Sequence, residues 1–205
     1  MPTRERICIF GGTFDPIHLA HLRIAEEARQ AFSLTRILFV PAGNPPHKES
    51  TGLAAYEDRY RMVEIACQSY PAFEASRLEE GSKRRSYTVD TIRRFRSEMK
   101  TDFDLFFLIG ADAFDELETW KGWQELLTLT EFIVVARPES EYRVPEGARV
   151  HQLDGIALPV SSSTIRARLA AGKATPELPG LVRAFIELHG LYSFGKGNAT
   201  PLRGA

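Results

Sequence analysis

Four short apolar runs constrain the fold of this chain more than any other feature. Ile7–Phe10, Arg36–Val40, Asp104–Ile109 and Phe132–Ala136 are rich in branched and aromatic residues and do not alternate with polar ones. A strand with one wet face alternates, whereas a strand covered on both faces does not. These runs therefore read as strands of a parallel sheet. Helical spacing fills the intervals. Leu19, Leu22, Ala25, Ala28 and Phe32 keep it, as do Tyr56, Tyr60, Val63 and Cys67. Val89, Ile92 and Phe95 mark a third helix over about 89–99, and Leu181, Val182, Phe185 and Ile186 a last one stopping at Gly190. This alternation predicts an open, mostly parallel α/β sheet with right-handed crossovers, in a strand order the pattern leaves open. Loops are expected at 41–52, 80–86, 138–148 and 172–180. The tail, 193–205, lacks apolar periodicity and is expected to be flexible.

A chain of 205 residues suits one globular domain. Its net charge of −1 supplies no global field for nucleic acid or a membrane, so any anion site must be local. Cys8 and Cys67 lie far apart in apolar surroundings and read as buried thiols of a reducing compartment. No apolar run approaches the roughly 18 residues that span a bilayer, and the apolar stretch in MPTRERICIFGG is too short for a signal peptide. The expected location is the cytoplasm.

FGGTFDPIHLAH, residues 10–21, follows the first apolar run. In a doubly wound sheet, ligands sit beyond the carboxyl ends of the strands, often at the first strand-to-helix turn. Gly11 and Gly12 occupy that turn and, lacking Cβ, let a ligand approach the backbone. Asp15 reads as a helix cap and Pro16 as a turn or first-turn residue. His18 and His21, three apart, would share a face at a helix start, where free N–H groups favour an anion. Two imidazoles there can donate to phosphate oxygens and gain charge as the anion raises their pKa. The bland alternative is that His18 caps the helix and His21 lies on the surface.

Further segments carry compatible chemistry. PAGNPPHK, 41–48, is a proline-stiffened loop ending in the cation Lys48. SYTVDTI, 86–92, places hydroxyls and amides ahead of a helix. LIGADAFDELETWKGWQEL, 108–126, carries Gly110, Asp112, Trp120, Lys121 and Trp123 after a strand. VSSSTIR, 160–166, sets three serines at a helix start with Arg166 one turn in. Taken singly, each reads equally well as capping, core packing or a solvated loop.

The His18–His21 stretch resembles the (T/H)xGH signature of the nucleotidyltransferase superfamily, with Ala20 in place of the usual glycine. Together, GGTFDPIHLAH, PPHK, SYTVDT, IGAD with TWKGW, and SSSTIR resemble the bacterial nicotinate-nucleotide adenylyltransferases over about residues 7–192. That resemblance implies a Rossmann-like fold with helices on both faces, one domain over 1–192, and a small C-terminal helical part over about 160–192. It implies transfer of an adenylyl group from ATP to nicotinate mononucleotide, with Mg2+ arriving on ATP, no protein metal site, and a possible homo-oligomer. By position, His18, His21, Lys48 and Arg166 would act on the phosphates. Gly11, Gly12, Thr13, Ser162 and Ser163 would line them, and Gly110 and Asp112 would hold the ribose. Tyr87, Thr88, Trp120 and Lys121 would surround the nicotinate ring. The role of Arg137, in ARPE, is less defined. Nicotinamide mononucleotide remains the alternative acceptor.

Other classes fit poorly. GLYSFGKG, 190–197, lacks the Ser/Thr, strand and helix of a P-loop. There is neither GxGxxG for a nicotinamide oxidoreductase nor GxSxG for a hydrolase. The basic run Lys83–Arg85 reads as solvated loop. A silent nucleotide-binding regulator would be expected to lack the phosphate-facing residues that this chain keeps. A nucleic-acid-binding module is disfavoured by charge and length.

Overall fold

The computed structural model describes residues 4–44, 53–81, 87–136, 141–154 and 160–192. Lys48, Ser86, Arg137 and the tail 193–205 lie outside them. The four apolar runs form β1 (Glu5–Gly12), β2 (Arg36–Pro41), β4 (Phe103–Gly110) and β5 (Glu131–Val135). Two short edge strands, β3 (Phe73–Ala75) and β6 (Val150–Leu153), complete a six-stranded sheet in the order β3-β2-β1-β4-β5-β6. Every pairing is parallel.

Strand direction and alternation divide the core into two layers. Cys8, Phe106, Leu108 and Ile133 point to one face and Ile7, Ile9, Leu105 and Phe107 to the other. The first face is covered by α1 (Leu19–Ala31), α2 (Tyr56–Cys67), α6 (Ser162–Ala170) and α7 (Gly180–Leu188). The second is covered by α3 (Thr88–Glu98), the short α4 (Ala111–Asp115), a 3-10 turn at Leu117–Thr119 and α5 (Trp123–Leu129). Ile165, Val182 and Ile186 bury into the first layer, so the C-terminal helices share the sheet's core. Both cysteines are buried as free thiols, and burial raises both pKa values, that of Cys67 to about 12.

Strand order reverses between β1 and β4. At such a point successive crossovers run to opposite faces and leave a crevice at the carboxyl ends of the strands. The two glycine-bearing strand ends, Gly11–Gly12 and Gly110, meet there.

Candidate active site

A cleft of about 330 Å³ opens at this reversal, lined by His18, Ala20 and His21 of the α1 start, Gly110 and Asp112 after β4, and Ser161 and Ser162 of the α6 start. Two helix N-termini therefore face one space. Neither α1 nor α6 carries an acidic residue in its first turn, whereas α2 has Glu57 and Asp58 and α3 has Asp90. Helices ordinarily favour acids there, so the positive ends of α1 and α6 face the cleft without an acid of their own in the first turn; α7 lacks one too but lies outside the cleft.

His18 is the N-cap of α1, and its carbonyl takes the first helical bonds from His21 and Leu22 at 3.0 and 3.4 Å. The cap expected at Asp15 thus falls three residues later, because Asp15 is turned into the protein. His18 combines the bland reading with a place in the cleft: it caps the helix while its ring stacks on His21, centroids 3.7 Å apart and 21° from parallel. Nδ1 of His21 accepts the His18 backbone N–H at 3.3 Å. That bond places the proton of a neutral His21 on Nε2, leaving an N–H donor on the ring's far side. Phe10 and Phe14 meet the His21 ring edge-on and fix its plane. Burial lowers the His18 pKa to about 4, partly opposed by the Glu177 charge. In the free protein at neutral pH His18 is therefore uncharged, so any charge on it comes only with an approaching anion, as the sequence reading expects.

The glycines make room. A Cβ on Gly12 would meet the Phe14 ring at 2.9 Å. Gly110 has an ordinary φ of −74°, and a Cβ there would meet nothing within 4 Å. Its missing side chain leaves open space beside Asp112, whose side chain is exposed. Ala20 lines the cleft and is buried, so its methyl occupies volume that glycine would leave free. Ser161 caps α6 by accepting the Thr164 N–H at 3.2 Å, and Ser162 Oγ donates to the Pro16 carbonyl at 3.0 Å. Ser163 is exposed beside Ser161 Oγ at 2.8 Å and does not line the cleft.

Asp15 anchors the turn between β1 and α1, and sequence reasoning missed this. Fully buried, its Oδ1 accepts from Tyr192 Oη at 2.7 Å and Ala54 N at 3.1 Å. Arg166 donates to the Asp15 carbonyl at 2.8 Å and stands 3.4 Å from Oδ2, so it is bound to this turn. Buried Arg59 ties Thr13 and Ala42 together through their carbonyls at 2.8 Å each. Arg59 and Tyr192 carry no motif signal, and Ser161 stands inside the motif SSSTIR without being singled out. Asp15 stands inside one, but its burial is invisible without its partners.

Tyr87, Trp120 and Lys121 gather on the second face of the sheet. Trp120 meets Phe107 of β4 edge-on at 6.4 Å, and Lys121 Nζ lies 4.4 Å from the centre of the Tyr87 ring and 3.1 Å from Asp90. Thr88 opens α3 immediately after Tyr87. Gly122, at φ +69°, makes the turn between Trp120 and Trp123, and Val89 lies 3.1 Å from where its Cβ would be. The positive φ favours glycine there, and a Cβ would press on the Val89 side chain.

The cytidylyltransferase-like family model matches residues 9–168, which include the whole cleft. The chain is 47% identical to the probable nicotinate-nucleotide adenylyltransferase of Solibacter usitatus, over 92% of this chain and all of that one. It is 43% identical to a protein of the same description from Desulfitobacterium hafniense, over 92% and 96% of the two chains. It shares its fold with the Plasmodium falciparum nicotinic acid mononucleotide adenylyltransferase solved in complex with NaAD, at TM-score 0.75 and 21% identity, over 92% and 98%. Fold and site thus define a nucleotidyltransferase of the cytidylyltransferase-like class. Within that class, the chain belongs to the nicotinate-nucleotide adenylyltransferase family.

Proposed function

We propose that this chain joins nicotinate mononucleotide and ATP, giving deamido-NAD and pyrophosphate, as a step of NAD biosynthesis. The supporting observation is the cleft at the strand reversal, where two acid-free helix starts and a stacked histidine pair face one space. The 5′-phosphate of the mononucleotide attacks the α-phosphorus of ATP in line, and the bond to the β-phosphate oxygen breaks. Such a transfer draws its acceleration from placement and charge stabilisation, and the anionic nucleophile needs no strong base.

In this reading the α1 and α6 starts, with His18, His21, Ser162 and the backbone at Gly11–Thr13, receive the triphosphate. His21 donates from Nε2. His18, neutral when the cleft is free, takes up charge as phosphate approaches. Ser163 would contribute through its backbone, given where its side chain points. Arg166 would reach phosphate only by exchanging its bond to Asp15, and Lys48 would approach from the 41–48 loop. Gly110 and Asp112 suit the adenosine ribose. Tyr87, Thr88, Trp120 and Lys121 suit the pyridine ring, on the Phe107 side of the sheet. Mg2+ would enter as part of the ATP substrate. There it would be held by phosphate oxygens and water more than by protein carboxylates.

Pyrophosphate release with ATP–magnesium and either nicotinate or nicotinamide mononucleotide tests this reading. Release with the acid in clear preference to the amide is expected. No release with either would contradict it and favour a silent nucleotide-binding protein. His18→Ala is expected to lower kcat by ~10²–10³, the usual cost of losing one donor to a charged transition state, while changing the KM for mononucleotide little. Near-normal turnover would remove His18 from the mechanism.

A further inference from the structure

The segment after β3 runs between the end of β2 and α3. Ser76 N–H donates to the Phe39 carbonyl at 2.9 Å, and Leu78 buries into the second layer together with Val89 and Ile92 of α3. Arg94 of α3 donates to the Leu78 carbonyl at 2.7 Å. Glu79 comes next, half-buried, and its two carboxylate oxygens take different partners. Oε2 accepts the Gly43 N–H at 3.1 Å, and Oε1 accepts the hydroxyl of buried Thr91 at 2.7 Å. One side chain thus clasps the loop leaving β2 to the start of α3.

The peptide between Ala42 and Gly43 is held at both ends. Arg59 donates to its carbonyl oxygen, and Glu79 accepts from its N–H. The same guanidinium donates to the Thr13 carbonyl, so a line of hydrogen bonds runs from the turn after β1 through Arg59, this peptide and Glu79 to Thr91. In turn, α3 carries much of the group on the Phe107 side of the sheet: Tyr87 and Thr88 stand at its start, and Asp90 pairs with Lys121. We propose that Glu79 is a positioning residue, which sets the α3 start, and with it the acceptor half of the site, against the turn after β1. What the two halves bind rests on the adenylyl-transfer reading; the clasp rests on these hydrogen bonds alone. In-line transfer depends on the distance between two separately held substrates, so a clasp between their binding elements bears on the reaction without touching either.

The task requires reach rather than charge. Glutamine has the same length: its amide oxygen can accept from Gly43 while its NH2 donates to Thr91, whose proton then turns to the Tyr87 carbonyl 3.4 Å away. Aspartate is one methylene shorter and does not span both partners. Glu79→Ala is expected to raise the KM for nicotinate mononucleotide about tenfold and leave the KM for ATP within about twofold. Glu79→Gln should recover most of this loss and Glu79→Asp little of it. General loosening of the fold would raise both KM values alike, and a role for charge would reverse the order of Gln and Asp. Either result, or an unchanged mononucleotide KM, overturns the proposal. Thr91→Val keeps the shape of the residue and removes the hydroxyl, so it serves if Glu79→Ala does not fold; the same split, about threefold, is expected. Amide hydrogen exchange in the free protein gives a readout independent of substrate. At Gly43 and at Thr91, whose N–H donates to the Tyr87 carbonyl, exchange should quicken several-fold in Glu79→Ala, with Thr164 of α6 unchanged. Unchanged rates at both would contradict the clasp. Quickened exchange in a protein that transfers no adenylyl group would uphold the clasp and remove only the substrates assigned to its two sides.

Discussion

At the scale of residues, the cleft depends on groups held in states they would not choose in water. His18 ordinarily titrates near 6.5, and burial lowers that to about 4. Between these values the unfolded chain binds a proton that the folded protein does not, so stability rises with pH across that window. As the pH falls from 6.5 to 4 this site alone should weaken the fold, by ~3 kcal/mol once both states are protonated. Denaturant titrations at pH 7 and pH 4 should therefore differ less for His18→Asn than for the unmodified protein, and equal differences would contradict this. Asp15 is fully buried and held by hydrogen bonds from Tyr192 and Ala54. Tyr192→Phe removes the 2.7 Å bond to Oδ1 and should cost about 1–2 kcal/mol in denaturant unfolding. A loss within error of zero would mean that Tyr192 merely fills space.

At the scale of elements, the helix starts carry the electrostatics. An acid in the first turn normally stabilises a helix. Ser163→Asp, on an exposed residue of the first turn of α6, should thus raise stability by ~0.3–1 kcal/mol while raising the KM for ATP several-fold. Opposite signs are the signature of a helix end reserved for a ligand. If both quantities improve, α6 does not face the phosphates. The same elements show what could be read from the sequence. The unalternating runs became β1, β2, β4 and β5, and the spacing from Tyr56 to Cys67 became α2. β3, FEA, and β6, VHQL, are too short to display a period. They are strands because a neighbour pairs with them. The motifs located His18, His21, Gly110, Asp112 and Ser162 around one cleft. They could not show that Asp15 turns inward, because its closing partner, Tyr192, lies 177 positions away. Nor could they show that Arg166 binds the Asp15 turn, or that His18 rests uncharged, since both follow from tertiary burial.

At the scale of the whole molecule, sheet and C-terminal helices share a core. Ile165, Val182, Ile186 and Tyr192 bury against the layer that also holds Leu22, Met62 and Phe106. Thermal unfolding is expected to be one cooperative transition seen alike by far-UV and aromatic signals; a separate early transition would indicate an independent C-terminal part. That shared core brings the α6 start to the α1 start, and the account depends on their joint grip on a triphosphate. The most direct test is a crystal structure with a non-hydrolysable ATP analogue and nicotinate mononucleotide. The account predicts phosphate oxygens within hydrogen-bonding distance of His18, His21 and the α6 start, with the pyridine ring on the Trp120 side. A triphosphate bound elsewhere, with the two imidazoles still stacked and unengaged, would contradict it.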